Sequence, residues 1–222
     1  MDIVQQFRLE EKVFLAETAF HLEGIHFDEV QIADLLNNQN KTVLDLDEDA
    51  AIIIRNVIDT LDYLQENDLK KIKIDLDLYI KLNSLLAKDQ ALFVGRLRDI
   101  PTVIGCIKDD IPVYEKDMIE KEIHKLNNIN KDNFREIIPS VFCRLSRMQP
   151  FFDGNKRSTN FLCNIALMKN NLGLFVINYE NLKDFNRYLK DYYQEKNSDI
   201  LKFIGNNLII NSLEYNICNS SS

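Results

Sequence analysis

The run Gln149-Pro150-Phe151-Phe152-Asp153-Gly154-Asn155-Lys156-Arg157 places a carboxylate, a glycine, an amide and two cations in consecutive positions 153–157. Beyond it, Phe161 to Met168 is apolar on nearly every face except at Asn164, the pattern of a helix surrounded by protein. A helix starting near Asn155 aims its unpaired backbone N–H groups and the positive end of its dipole at the preceding loop. Gly154 permits close backbone approach. Asn155 can donate from its side chain, Lys156 adds a cation, and Arg157 offers a planar fork matched to phosphate oxygens. Asp153 supplies the hard oxygen that magnesium takes beside phosphates. The string reads as a site for a nucleotide di- or triphosphate and its metal ion, with Phe151 turned inward as an anchor. The plainer alternative is a turn whose Asp and Asn cap a helix.

Working outward, apolar residues recur mostly at helical spacing, and only six glycines and four prolines interrupt 222 residues. Helices are predicted over 4–22 with Gly24 as stop, then over a short stretch capped by Asp28, over 47–66 and over 76–88. Thr102-Val103-Ile104-Gly105-Cys106-Ile107 reads as a strand, 108–110 as a turn and 111–114 as the return strand. Helices resume over 116–126 and 132–147, where Pro139 kinks or restarts the latter. Two more follow the loop, at 182–193 and 200–208. The expected fold is all-α, a helical bundle with one short β-hairpin.

The boundaries fit one domain over 1–213, with an N-terminal helical segment over residues 1–90, a core over 91–213 and a flexible tail over 214–222. Hydrophobic residues at 45% and charged residues at 28% suit a globular chain. A net charge of −8 argues against a nucleic-acid surface, although an acidic body can hold a local cationic pocket. No signal-like start and no apolar run of about 20 residues occurs, so no membrane partner is expected. Cys106, Cys143, Cys163 and Cys218 form no C-x-x-C pair, which suggests free thiols in a reducing cytoplasm. Monomer and homo-oligomer both stay open.

The nine-residue string resembles the signature loop of the Fic/Doc family, H-P-F-x-[DE]-G-N-[GK]-R. Asn164 and Leu167 fall where that family has N-x-x-L on the following helix. The 102–114 hairpin lies at the distance of its flap, preceded by the G-x-x-R of Gly95–Arg98. The resemblance implies a Fic-like helical fold and transfer of AMP from ATP, with Mg2+, to a hydroxyl side chain of a target protein. The target would dock as an added strand on the flap residues Thr102, Val103, Ile104, Gly105, Cys106 and Ile107.

Three positions depart from the pattern. Gln149 stands where the family carries its base histidine, and a carboxamide does not accept a proton near neutral pH. His21, His26 and His124 have no spacing that marks any of them as a substitute. Lys156 stands where adenylylating members carry glycine, whereas Doc-type members have lysine and transfer the terminal phosphoryl group. A solvated first-turn lysine is the alternative. Leu22-Glu23-Gly24 resembles the end of the family's inhibitory helix motif [ST]-x-x-x-E-[GN], with Ala19 in the Ser/Thr position. The arginine that such a glutamate pairs with is Asn160 here. That leaves Arg157 or Lys156 for Glu23, or an ordinary helix end.

Overall fold

Side chains that accept from backbone N–H groups set the starts of several helices. In the computed structural model, which describes residues 8–37 and 47–211, Asp28 Oδ1 accepts from Gln31 N at 2.8 Å while Gln31 Oε1 accepts from Asp28 N at 2.9 Å. Asp47, Asp75 and Asn178 accept from Ala50 N, Leu78 N and Asn181 N. The elements are α1 Leu9–His21, α2 Glu29–Asn37, α3 Glu48–Glu66, α4 Leu76–Leu86, α5 Lys116–His124, α6 Phe134–Met148 and α7 Asn155–Lys169. After them come β1 Leu174–Phe175, α8 Tyr179–Tyr193, α9 Asp199–Phe203 and β2 Ile209–Ile210. The chain is mostly helical, as the periodicity predicts. The start of the first predicted helix, the 214–222 tail and Cys218 lie outside the described residues.

Helix α7 is the axis of the bundle, with twelve of its fifteen residues buried. It packs on α4 and α6 and also meets α1 and β1. Cys143 of α6 and Cys163 of α7 are free and fully buried, and burial pushes both thiols up. No described helix is long and apolar enough to cross a membrane.

Three details differ from the sequence reading. Helix α6 continues through Pro139 rather than restarting. The ring removes the N–H that the Arg135 carbonyl would have received, and Gly205 packs against that carbonyl so closely that a Cβ would sit 2.4 Å from it. The 200–208 helix ends at Phe203, and a wider π turn over Ile204–Leu208 feeds β2.

The hairpin is the third. Among the described residues it contains one bridge, in which Thr102 N donates to Ile111 O at 3.1 Å and Ile111 N to Thr102 O at 2.7 Å. Pro112 has no N–H to extend the ladder. Ile107 N turns back to Ile104 O at 2.8 Å, which withdraws that side from pairing.

The two-stranded antiparallel sheet lies elsewhere, with Leu174 opposite Ile210 and Phe175 opposite Ile209. Buried Asn164 explains its position. Its Oδ1 accepts from Phe175 N at 2.7 Å and its Nδ2 donates to Phe175 O at 3.1 Å, so one side chain of α7 satisfies both backbone groups of Phe175. Asn164→Leu should cost about 1–3 kcal/mol for each backbone group left unpaired. Urea unfolding should show a lower midpoint at unchanged slope, and an unshifted midpoint would contradict this account.

Candidate functional site

Helix α6 ends on Gln149, which takes the left-handed conformation with φ 48° and ψ 58°. Five residues later Gly154 is also left-handed, at φ 71°, and α7 begins. Asn155 closes the loop between them. Its Oδ1 accepts from Phe151 N at 2.9 Å, and its Nδ2 donates to Phe151 O at 2.9 Å and to Gln149 Oε1 at 3.0 Å. Gln149 Nε2 donates to Ser146 O at 2.6 Å, so both ends of its carboxamide are engaged. Phe151 is buried, packed edge-on to Tyr79 at 4.8 Å.

Asn83 of α4, absent from the sequence-based candidates, supports the other side. Its Nδ2 donates to Asp153 O at 2.8 Å and to Ser158 Oγ at 3.2 Å, and its Oδ1 accepts from Gly95 N at 3.0 Å. A Cβ on Gly154 would meet Ala87 Cβ at 2.9 Å, so the loop lies flat against the end of α4. No side chain caps α7, whose first N–H groups remain open. Asp153 Oδ1 accepts from Gly154 N, and the carboxylate is 45% exposed. Among the described residues no cluster of three or more His, Cys, Asp or Glu could hold a metal ion.

Arg157 is fully buried. Its Nε donates to Glu23 Oε1 at 2.8 Å, and one terminal nitrogen donates to Leu86 O and, at 2.7 Å, to Gln90 Oε1. The other, NH2, lies 3.8 Å from Asp153 Oδ1 and has no hydrogen-bond partner. Lys156 Nζ donates to Leu22 O at 2.8 Å, where α1 ends. Both cations of the loop therefore hold the end of α1. Asn160 is buried inside α7, accepting from Asn164 Nδ2 at 3.0 Å.

Arg98, 4% exposed, joins the loop to the hairpin. Its Nε donates to Gln149 O, NH1 to Ile100 O at 2.6 Å, and NH2 to Pro112 O and to Met148 O at 3.0 Å. Its backbone N–H adds a bond to Pro150 O at 2.9 Å. Of the hairpin residues, Val103 is 67% exposed, while Ile104, Cys106 and Ile107 lean on the core.

Behind the hairpin lies a cavity of about 500 Å3, whose walls include Cys106, Pro112, Tyr114, Arg147, Tyr193 and Gln194. Arg147 Nε, Tyr193 OH and Gln194 Oε1 are buried there without hydrogen-bond partners. A cavity of about 630 Å3 between the start of α4 and α5 includes His124 but shares no residue with the loop. His21 Nδ1 donates to Ile177 O at 2.7 Å, and His26 stacks beside it.

Residues 73–167 match the family model described as Fic/DOC family. No curated protein matches the chain in sequence. Solved structures do match. One is Fic-1 from C. elegans, at TM-score 0.70 and 14% identity, covering 98% of this chain, which spans 66% of that one. Another is a Fic domain containing signaling protein from Bacteroides thetaiotaomicron, at TM-score 0.65 and 17% identity, covering 88% of this chain and 81% of that one. A Fic family protein from Desulfovibrio desulfuricans matches at TM-score 0.67 and 14% identity, covering 97% of this chain and 68% of that one. At these identities the likeness concerns the fold. Residues 73–167 thus resemble the Fic/DOC family, and the chain has the fold of Fic proteins.

Proposed function

We propose that this chain is a Fic-type protein that binds ATP with magnesium at Asp153–Arg157 and moves AMP to a hydroxyl side chain of a target protein, at a rate greatly reduced by Gln149. The observation that carries this reading is Arg157, a fully buried guanidinium with NH2 unpartnered, beside the uncapped start of a fifteen-residue helix. A phosphate oxygen satisfies that nitrogen and the open N–H groups together. Asp153, exposed and engaged through Oδ1, would be the carboxylate that holds magnesium. Bound magnesium would neutralise phosphate charge and orient the leaving group.

The cavity behind the hairpin has room for the nucleoside. The unpartnered Gln194 Oε1 suits an exocyclic amine, and Tyr193 OH can donate or accept. Val103 and the unpaired backbone flanking the Thr102–Ile111 bridge offer the target an edge to add to. In the transfer, the target oxygen attacks the α-phosphorus, the bond to the β-phosphate oxygen breaks, and pyrophosphate leaves. The hydroxyl proton needs an acceptor. Gln149 is not basic, and Ser146 and Asn155 already hold its carboxamide. Loss of a general base costs about two to four orders of magnitude in rate.

Glu23 opposes binding in this arrangement, because its carboxylate occupies the Arg157 Nε that a phosphate would compete for. Lys156 Nζ donates to Leu22 O, so a phosphate would have to draw it from that carbonyl, and terminal-phosphoryl transfer stays the second reading.

The test compares the native protein with Gln149→His, using ATP labelled at the α or γ phosphate, magnesium and a cell lysate. Label from the α position should appear on protein at least a hundredfold more strongly with the Gln149→His variant. Equal labelling by both proteins refutes the role of position 149, and label from γ alone transfers the case to a phosphotransferase. No label from either, with ATP bound, marks a nucleotide-binding pseudoenzyme. A second prediction concerns binding alone: Asp153→Ala and Arg157→Ala should each weaken Mg-ATP affinity at least tenfold by calorimetry. Unchanged affinity would refute the phosphate site.

A further inference from the structure

Helix α1 does more than deliver Glu23 to Arg157, because its preceding turns dock on the segment between β1 and α8 through buried polar contacts. Thr18 Oγ1 accepts from Ile177 N at 2.9 Å, and His21 Nδ1 donates to Ile177 O at 2.7 Å. Glu17, one turn before His21 on the same face, is 7% exposed and accepts from the Tyr179 backbone N–H. Its other oxygen, Oε2, is buried with no hydrogen-bond partner. A buried carboxylate with an unpaired oxygen is costly, whereas a carboxylic acid is much less so. Resting on the reading of Glu23 given above, we propose that Glu17 is a proton-operated latch: neutral, it keeps α1 docked and Glu23 on Arg157; ionised, it loosens α1 and yields the phosphate site to nucleotide.

The surroundings support this assignment. Burial first, and the Glu29 carboxylate second, push the Glu17 carboxyl up to about 7, while the Tyr179 N–H opposes them. Glu29, on α2, is the charged side chain whose field raises Glu17. From α7, Lys156 and Arg157 face the end of α1, at Leu22 and Glu23. His21 faces His26 and Tyr179, and burial lowers its pKa, so docked α1 also requires neutral His21.

The signs then follow. The docked Glu17 pKa lies above the free value of 4.5, so docking is strongest at low pH and weakens as pH rises to about 7. The docked His21 pKa lies below the free 6.5, so His21 weakens docking as pH falls through about 6.5. Between pH 6 and 8 Glu17 ionisation alone weakens docking about tenfold, and His21 opposes part of that change at the lower end of the range.

Two measurements test the latch. Hydrogen exchange of α1 amides, corrected for intrinsic rates, should lose up to about tenfold protection in the native protein between pH 6 and 8. In Glu17→Gln, which mimics the neutral acid, protection should not fall, and should rise modestly as His21 loses its proton. Calorimetry with Mg-ATP should show affinity rising severalfold over that range in the native protein. Affinity should stay low in Glu17→Gln and high at every pH in Glu23→Gly. Protection independent of pH in the native protein, or a Glu17→Gln profile parallel to native, overturns the latch. If Glu23→Gly leaves Mg-ATP affinity unchanged, the competition between Glu23 and phosphate fails, and the exchange data still decide the latch.

Discussion

A guanidinium sealed from water must find its acceptors within the protein, and Arg157 draws three separate parts of the chain to itself to do so. The turn after α1 supplies a carboxylate, the end of α4 a backbone carbonyl, and the segment after α4 an amide oxygen. Removing such partners would leave an uncompensated buried charge, which is strongly destabilising. The positions of α1 and α4 relative to α7 therefore depend on this one side chain. Two of the three acceptors are neutral dipoles, and the third, Glu23, is a carboxylate that an incoming anion would have to displace.

Arg98 repeats the solution on the other side of the loop. Its acceptors are all backbone carbonyls, of Met148, Gln149, Ile100 and Pro112, so unlike Arg157 it stabilises structure without pairing to a carboxylate. A chain with net charge −8 thus flanks one loop with two buried cations and the open start of a helix. Arg98 also spans the gap between hairpin and loop. A target strand added to the hairpin would act on the same guanidinium that holds the Gln149 carbonyl in its left-handed turn.

The loop was legible because its residues are contiguous and each chemistry suits its place: glycine at positive φ, an asparagine that closes the turn, an arginine one turn into the helix. The helices were legible from spacing and caps. Asn83 and Gln90 were not, because their partners are 70 and 67 residues away and nothing local marks an amide aimed at a distant carbonyl or guanidinium. The β1–β2 pair escaped for the same reason: two-residue strands carry no alternation, and Asn164 on α7 positions them. The hairpin was legible as a turn-back but not in its extent, since the β-prone residues Thr102, Val103, Ile104 and Ile107 say nothing about whether a proline or a local turn will limit pairing to one bridge.

Asn160 is an amide, so Glu23 pairs with Arg157 while the loop's other cation, Lys156, holds the Leu22 carbonyl. With an amide buried inside α7 at that position, the carboxylate at the end of α1 has Arg157 as its partner, the group best placed for phosphate. Restraint and site then share one residue, and they cannot both be satisfied through Nε. Linkage makes this reciprocal: whatever strengthens α1 docking weakens an anion at Arg157 by the same factor, and a bound anion loosens α1 equally. On this proposal the polar docking of Glu17, Thr18 and His21, far from the loop in sequence, would set the affinity of a phosphate site that those residues never touch.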